Sequence, residues 1–205
     1  MPEGLTTCVY CGARPGKTRD HVPPECFFLV PPQAGRRTVP ACKPCNNGMN
    51  KDEEYFLLTV AAEASESNAA ARKVILRIAD QHLTGTQPRV WMTLRLAESI
   101  YTGDSRAQET IVLGSVVGVK ADAARIRRVL ETIARGLHFL DLGVPAPPTA
   151  NSVIECSPAR WPDPLLAAAV HTIGPEFRYR GHYDGASSLW ALEFYETFRA
   201  TVLLG

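Results

Sequence analysis

Apolar and polar positions change period several times along the chain. Phe56, Leu57, Val60, Ala61 and Ala64 recur at helical spacing, and Asn50-Lys-Asp-Glu53 just before them has the spacing of a capping box, with Asn50 as cap. A second helical stretch covers residues 69–82, with Val74, Ile75 and Ile78 on one face, and residues 83–88 break it. Residues 89–101 read as a helix and residues 109–120, rich in β-branched side chains, as strand. Residues 122–138 form an amphipathic helix in which Ala124, Ile126, Val129, Leu130, Ile133 and Leu137 make the apolar stripe. Arg125, Arg127 and Arg128 make its wet face, and Gly136 weakens its final turn. Seven of the sixteen prolines fall between Pro145 and Pro175, which predicts loop with one strand at 152–156 and one short helix at 164–171. The chain ends on period-two runs at 177–183, 189–195 and 198–203, the first two joined by an Asp184-Gly-Ala-Ser turn, and these predict antiparallel strands.

The first fifty residues follow neither period for long. Pro23 and Pro24 fix the backbone just after Asp20-His21-Val22, which holds His21 at the end of a short strand. Residues 26–30 are an apolar patch suited to pack beneath, residues 31–35 a loop, and residues 37–40 a second short strand returning to Cys42. The expected fold is α+β: a metal-tied module over 1–64, a helical connector over 65–88, and a mixed α/β domain over 89–205 with antiparallel strands and no assigned role. No internal repeat or low-complexity tract is present.

Composition narrows the class. With 45% hydrophobic and 21% charged residues the chain is neither disordered nor fibrous, and no apolar run approaches the roughly 20 residues of a membrane helix. The N-terminal residues have no signal-peptide pattern, so the expected location is the cytoplasm, with no membrane partner. Net charge is only +1, but it is unevenly spread. Residues 1–51 carry Arg14, Lys17, Arg19, Arg36, Arg37, Lys43 and Lys51 against Glu3, Asp20 and Glu25, a net of +4, which leaves −3 for the rest. These seven basic residues are the candidate nucleic-acid-binding set, since a positive field of this kind suits a polyanion.

Six cysteines in a chain of this length could be three disulfides. Four of them, however, form two Cys-x-x-Cys pairs, Cys8/Cys11 and Cys42/Cys45, separated by 30 residues, which points to a closed tetrahedral structural Zn²⁺ site. Cys26 and Cys156 have no partner at ligand spacing and read as buried small hydrophobes. Gly12-Ala-Arg-Pro-Gly16-Lys17-Thr18 superficially suggests a phosphate-binding loop, but it has three residues between its glycines where that loop has four. Asp20 and an asparagine amide oxygen are hard ligands suited to Mg²⁺ or Mn²⁺, and a neutral His21 is suited to take a proton from water. Blander readings stand beside these: Asp20 as a turn carboxylate, His21 as a packing histidine, Asn46 as a helix cap. His82, His138, His171 and His182 fit no ligand spacing.

Cys-x2-Cys, then Asp-His-Val-x-Pro, then Val-Pro-Ala-Cys-x2-Cys-Asn, resembles the zinc-bearing HNH branch of the His-Me finger (ββα-metal) endonucleases, over about a quarter of the chain. Residues 46–56 also resemble a bacterial subgroup of HNH proteins without an assigned target. The resemblance implies a ββα-metal module in which Asp20 and Asn46 ligate the catalytic metal, His21 is the general base, and Cys8, Cys11, Cys42 and Cys45 hold structural zinc. It further implies a metal-dependent endonuclease acting on DNA phosphodiester bonds, with the helix after Asn46 presented to the minor groove. Homo-oligomerisation is left open. RNA as substrate, or a zinc-dependent nucleic-acid-binding or adaptor module without turnover, are the alternatives. Two positions depart from the pattern. Where HNH proteins carry an asparagine about five residues before the third cysteine, this chain has Arg37 with Thr38 beside it, so Thr38 substitutes as the prop, Arg37 contacts phosphate, or the site is impaired. The usual Asn-x-x-Lys is Asn46-x-x-Met49 with Lys51 shifted, which leaves Asn47 and Asn50 competing with Asn46 as ligand.

Overall fold

The computed structural model describes residues 7–30, 37–83, 100–101, 110–113, 117–147, 151–156, 160–185 and 187–205. The fold is α+β. Strands β1 (Thr18–His21) and β2 (Thr38–Ala41) pair antiparallel, with Thr18 opposite Ala41 and His21 opposite Thr38. Helix α1 (Lys43–Gly48) follows at once and passes through Met49 into α2 (Asn50–Ala64). After α3 (Ala69–Leu83), a small antiparallel sheet orders β3 (Ile100–Tyr101), β5 (Val117–Lys120) and β4 (Thr110–Leu113), with β5 in the middle. The long helix α4 (Ala123–Leu142) leads to β6 (Ser152–Cys156), the short α5 (Asp163–Ala167), and β7 (His171–Ile173), β8 (Phe177–Asp184), β9 (Ser187–Phe194) and β10 (Phe198–Leu204). These last strands form an antiparallel sheet in the order β6-β10-β9-β8-β7.

Helix α2 is the centre of the molecule. Its residues from Tyr55 to Ala61 are all buried, so it is apolar nearly all round, as a helix packed on several sides must be. It touches α3, α4, β10 and the 3₁₀ turn Glu25–Phe27. Phe56 meets Phe27 at 5.5 Å, Phe194 at 4.9 Å and Phe198 at 5.6 Å between ring centroids, joining the N-terminal turn, the helix and the sheet in one aromatic cluster. Each ring buried there contributes roughly 1.5–3 kcal/mol. One continuous apolar core therefore draws on Val22 and Phe27, on α2, α3 and α4, and on Trp190 and Val202 of the sheet.

Several sequence expectations are corrected at this level. The capping box does not form: Met49 already has helical dihedrals and occupies the cap position without a side-chain bond, so Asn50 lies inside the helix, exposed. Asn68 is the residue that caps, its Oδ1 accepting from the Ala70 and Ala71 amides at 2.9 and 3.1 Å ahead of α3. In α4, Ala124 is exposed, while Arg125 is drawn from the wet face onto buried Asp52 of α2 at 2.8 Å; Arg128 reaches the same carboxylate at 2.8 Å but stays exposed, as expected. Arg127 stays in solvent. Gly136 does not weaken a last turn, because α4 runs on to Leu142 and ends on left-handed Gly143. Gly136 instead permits close approach: a Cβ there would lie 2.5 Å from a Val22 methyl. The helix expected at 164–171 stops at Ala167, and His171 begins a strand. Residues 100–101 are strand, whereas the rest of the helix expected over 89–101 lies outside the described residues. The strand expected over 109–120 is two paired strands. Cys156 is exposed and Cys26 half-buried.

Candidate metal centre and the adjoining carboxylate cleft

The two Cys-x-x-Cys turns meet. The sulfurs of Cys8, Cys11, Cys42 and Cys45 all lie within 4.8 Å of one another, an arrangement that can hold a metal ion such as zinc. Local sequence builds it. The Cys8 amide donates to the Arg14 carbonyl and the Gly12 amide to the Cys8 carbonyl, both at 2.8 Å, and Gly12 takes the left-handed conformation (φ 62°) that closes so tight a turn. On the other side the Asn46 amide donates to the Cys42 carbonyl at 3.0 Å and opens α1. Backbone N–H groups of Ala13 and Arg14 bring the Cys11 thiol down to about 7, which favours the thiolate a metal takes.

Immediately beyond the cysteines, β1 carries Asp20 and His21 to the mouth of a cleft lined also by Tyr10, Pro24, Glu53 and Thr132. Burial raises the Asp20 carboxyl above its ordinary range, against the lowering effect of the Tyr10 hydroxyl, which is hydrogen-bonded to it. Glu53 of α2 is pushed further, to about 8, by burial first and then by the charges of Asp20, Asp52 and Glu54. His21 Nδ1 lies 3.8 Å from Glu25 Oε2. Asp20 and Glu53 are thus two hard carboxylates lining one cleft, and the charge of Asp20 disfavours ionisation of Glu53.

The other sequence-named residues separate from this group. Asn46 Nδ2 donates to Thr18 Oγ1 and to the Arg19 carbonyl, both at 3.1 Å, and Asn46 does not line the cleft. Its amide ties α1 to β1. Asn47 and Asn50 are exposed. Arg37 is turned inward, Nη1 donating to Tyr179 Oη and Nη2 to Asp141 Oδ1, each at 2.6 Å, so its two terminal amino groups pin β2 to α4 and β8 and leave the expected nucleic-acid face. Arg14, Lys17, Arg19, Lys43 and Lys51 are exposed around the cysteine turns, and none meets a carboxylate among the described residues, whereas Arg36 lies outside them. His138 is buried, with Nδ1 at 2.9 Å from Ser188 Oγ, and His171 stacks on Tyr179, in keeping with structural histidines.

Glu53 and Tyr10 are the cleft residues that sequence reasoning missed. A signal for Glu53 was present only as an acidic residue in the first turn of α2, which the sequence reads as part of a capping box. Compared with protein-family models, curated proteins and solved structures, the chain has no match. No helix among the described residues is long and apolar enough to cross a membrane.

Proposed function

We propose that the protein is a metal-dependent HNH-type endonuclease that hydrolyses DNA phosphodiester bonds, with structural zinc on Cys8, Cys11, Cys42 and Cys45. The observation that carries this reading is the convergence of Asp20, His21 and Glu53 on one cleft beside a metal-competent cysteine cluster. Asp20 and Glu53 hold Mg²⁺ or Mn²⁺, and Asn46 supports them by fixing the backbone that bears Asp20. The bound cation supplies charge stabilisation for the phosphate and the leaving alkoxide. His21 in its neutral form takes a proton from the attacking water, and Glu25 stabilises the imidazolium that results. The exposed basic residues of the cysteine turns attract the phosphate backbone.

The test is cleavage of plasmid DNA with Mg²⁺ or Mn²⁺ by the wild-type protein and by His21→Ala, alongside zinc content and thermal melting of both. Metal-dependent cutting by the wild type and loss in the variant, with fold and zinc intact, supports the reading. Intact plasmid with the wild type across salt and pH refutes it. The attachment of Asn46 to β1 favours a second reading, a nucleic-acid-binding module without turnover, which requires salt-sensitive binding and no cleavage. Duplex DNA, single strands and RNA offered in parallel identify the substrate.

A further inference from the structure

A cavity on the far side of the C-terminal sheet has no part in the reading above. Strand register places Arg178 of β8, Glu193 of β9 and Arg199 of β10 in one row across the sheet, and Arg180 opposite Ala191 in the next. Trp161 and Val170 flank these rows and leave a half-open cavity of about 200 Å³ against the strands. Ala191, buried and short, lines the floor.

The charges do not cancel. Glu193 is shared by Arg178 at 3.3 Å and Arg199 at 3.0 Å, and Glu196 pairs with Arg178 as well. Three guanidinium groups thus face two carboxylates, which leaves one surplus positive charge. The surplus is on Arg180, whose Nη1 is held by the carbonyls of Leu165, Leu166 and Ala168 at 3.1 to 3.3 Å and which meets no carboxylate among the described residues. Those carbonyls fix the guanidinium in place, so a second acceptor meets an ordered donor edge. Beside it the Arg199 guanidinium lies over the Trp161 ring, 5.8 Å from its centroid, a flat cationic and aromatic surface. The space is about half open to solvent, so it can seat the phosphate and one face of a flat ring while the rest of a ligand stays outside.

We propose that this cavity binds a single nucleotide unit, its phosphate on Arg180 and its base against the Trp161–Arg199 stack. Aromatic and arginine surfaces accept every base in this way, and a fixed guanidinium recognises phosphate. The unit is either a free nucleotide or the phosphorylated end of a single strand. The site is separate from the Asp20 cleft and stands whether or not that cleft cuts DNA.

The test is calorimetric titration of the full-length protein, without added divalent metal, with thymidylate, thymidine, inorganic phosphate and a 5′-phosphorylated oligothymidylate. Thymidylate is expected to bind at least tenfold more tightly than thymidine or phosphate, and comparison with the oligonucleotide shows which source is preferred. Arg180→Gln is expected to weaken thymidylate at least tenfold. Ala191→Leu, which fills the cavity without removing a charge, is expected to abolish binding, and His21→Ala to leave it unchanged. Absence of thymidylate binding by the wild type at millimolar concentration overturns the proposal, as does unchanged affinity in folded Arg180→Gln or Ala191→Leu protein.

Discussion

Glu53→Gln separates the cost of a carboxylate from its use. In the cation-free protein Glu53 is pushed up to about 8 from an ordinary value of 4.5, chiefly by burial and then by Asp20. The folded state therefore keeps this proton to higher pH than the unfolded chain does. Its contribution to stability is fully present below 4.5, falls as pH rises, and is lost once pH passes about 8. The full interval corresponds to roughly 5 kcal/mol, and solvent screening of a side chain that is only partly buried reduces this to about 1–3 kcal/mol. Gln has the same shape and no charge, so the variant should be more stable than wild type by about 1–3 kcal/mol at pH 8 and equal to it near pH 4.5. Urea denaturation in magnesium-free buffer at several pH values from 5 to 8 measures the difference. Excess Mg²⁺ should reverse the order, because a cation bound only by the folded wild type adds about 2.7 kcal/mol at 100 times its Kd, and the variant has lost one of the two carboxylates. Parallel pH profiles for the two proteins would refute the burial argument, and equal stabilisation of both by Mg²⁺ would refute the ligand assignment.

Four further outcomes are expected. Cys42→Ser should bind less zinc than wild type and unfold at much lower temperature, since structural zinc contributes on the order of 10 kcal/mol in small metal-tied modules; metal analysis and calorimetry check it. Arg37→Ala should cost about 1–3 kcal/mol by leaving Asp141 with the Tyr183 hydroxyl but no cation, and Arg37→Lys should not restore it, because one ammonium cannot span both Asp141 and Tyr179; chemical denaturation reads both, and DNA affinity should not move. Gly136→Ala should cost about 1–3 kcal/mol, because the added methyl meets Val22 at the exit of β1, and unchanged melting would show that Val22 yields freely. Phe56→Ala should cost about 3–5 kcal/mol in the same denaturation assay, since it empties the middle of the aromatic cluster.

Local pattern alone was sufficient to read the helix at 69–82, the hairpin at 18–41 and the closing antiparallel strands, because each is set by periodicity, proline position or turn residues within a few positions. The same holds for the four cysteines, whose spacing permits one compact ligand set. What failed depended on partners far away in sequence. Arg125 reads as solvated until Asp52, more than seventy residues earlier, comes to face it. Arg37 reads as a phosphate contact until α4 and β8 deliver Asp141 and Tyr179. Asn50-Lys-Asp-Glu53 reads as a cap until Met49 is seen to hold the cap position, with Glu53 lining the cleft that Asp20 enters.

The sequence by itself determined the cluster of four cysteines able to hold a metal, the position of the Asp-His pair at a strand end and the α+β order of elements, because spacing and side-chain chemistry are properties of short segments. Only the tertiary structure decided which carboxylate joins Asp20, which arginines serve the fold, and where an unneutralised guanidinium remains. Those outcomes depend on which distant side chain desolvates or neutralises a group, and that is fixed only when the core around α2 closes.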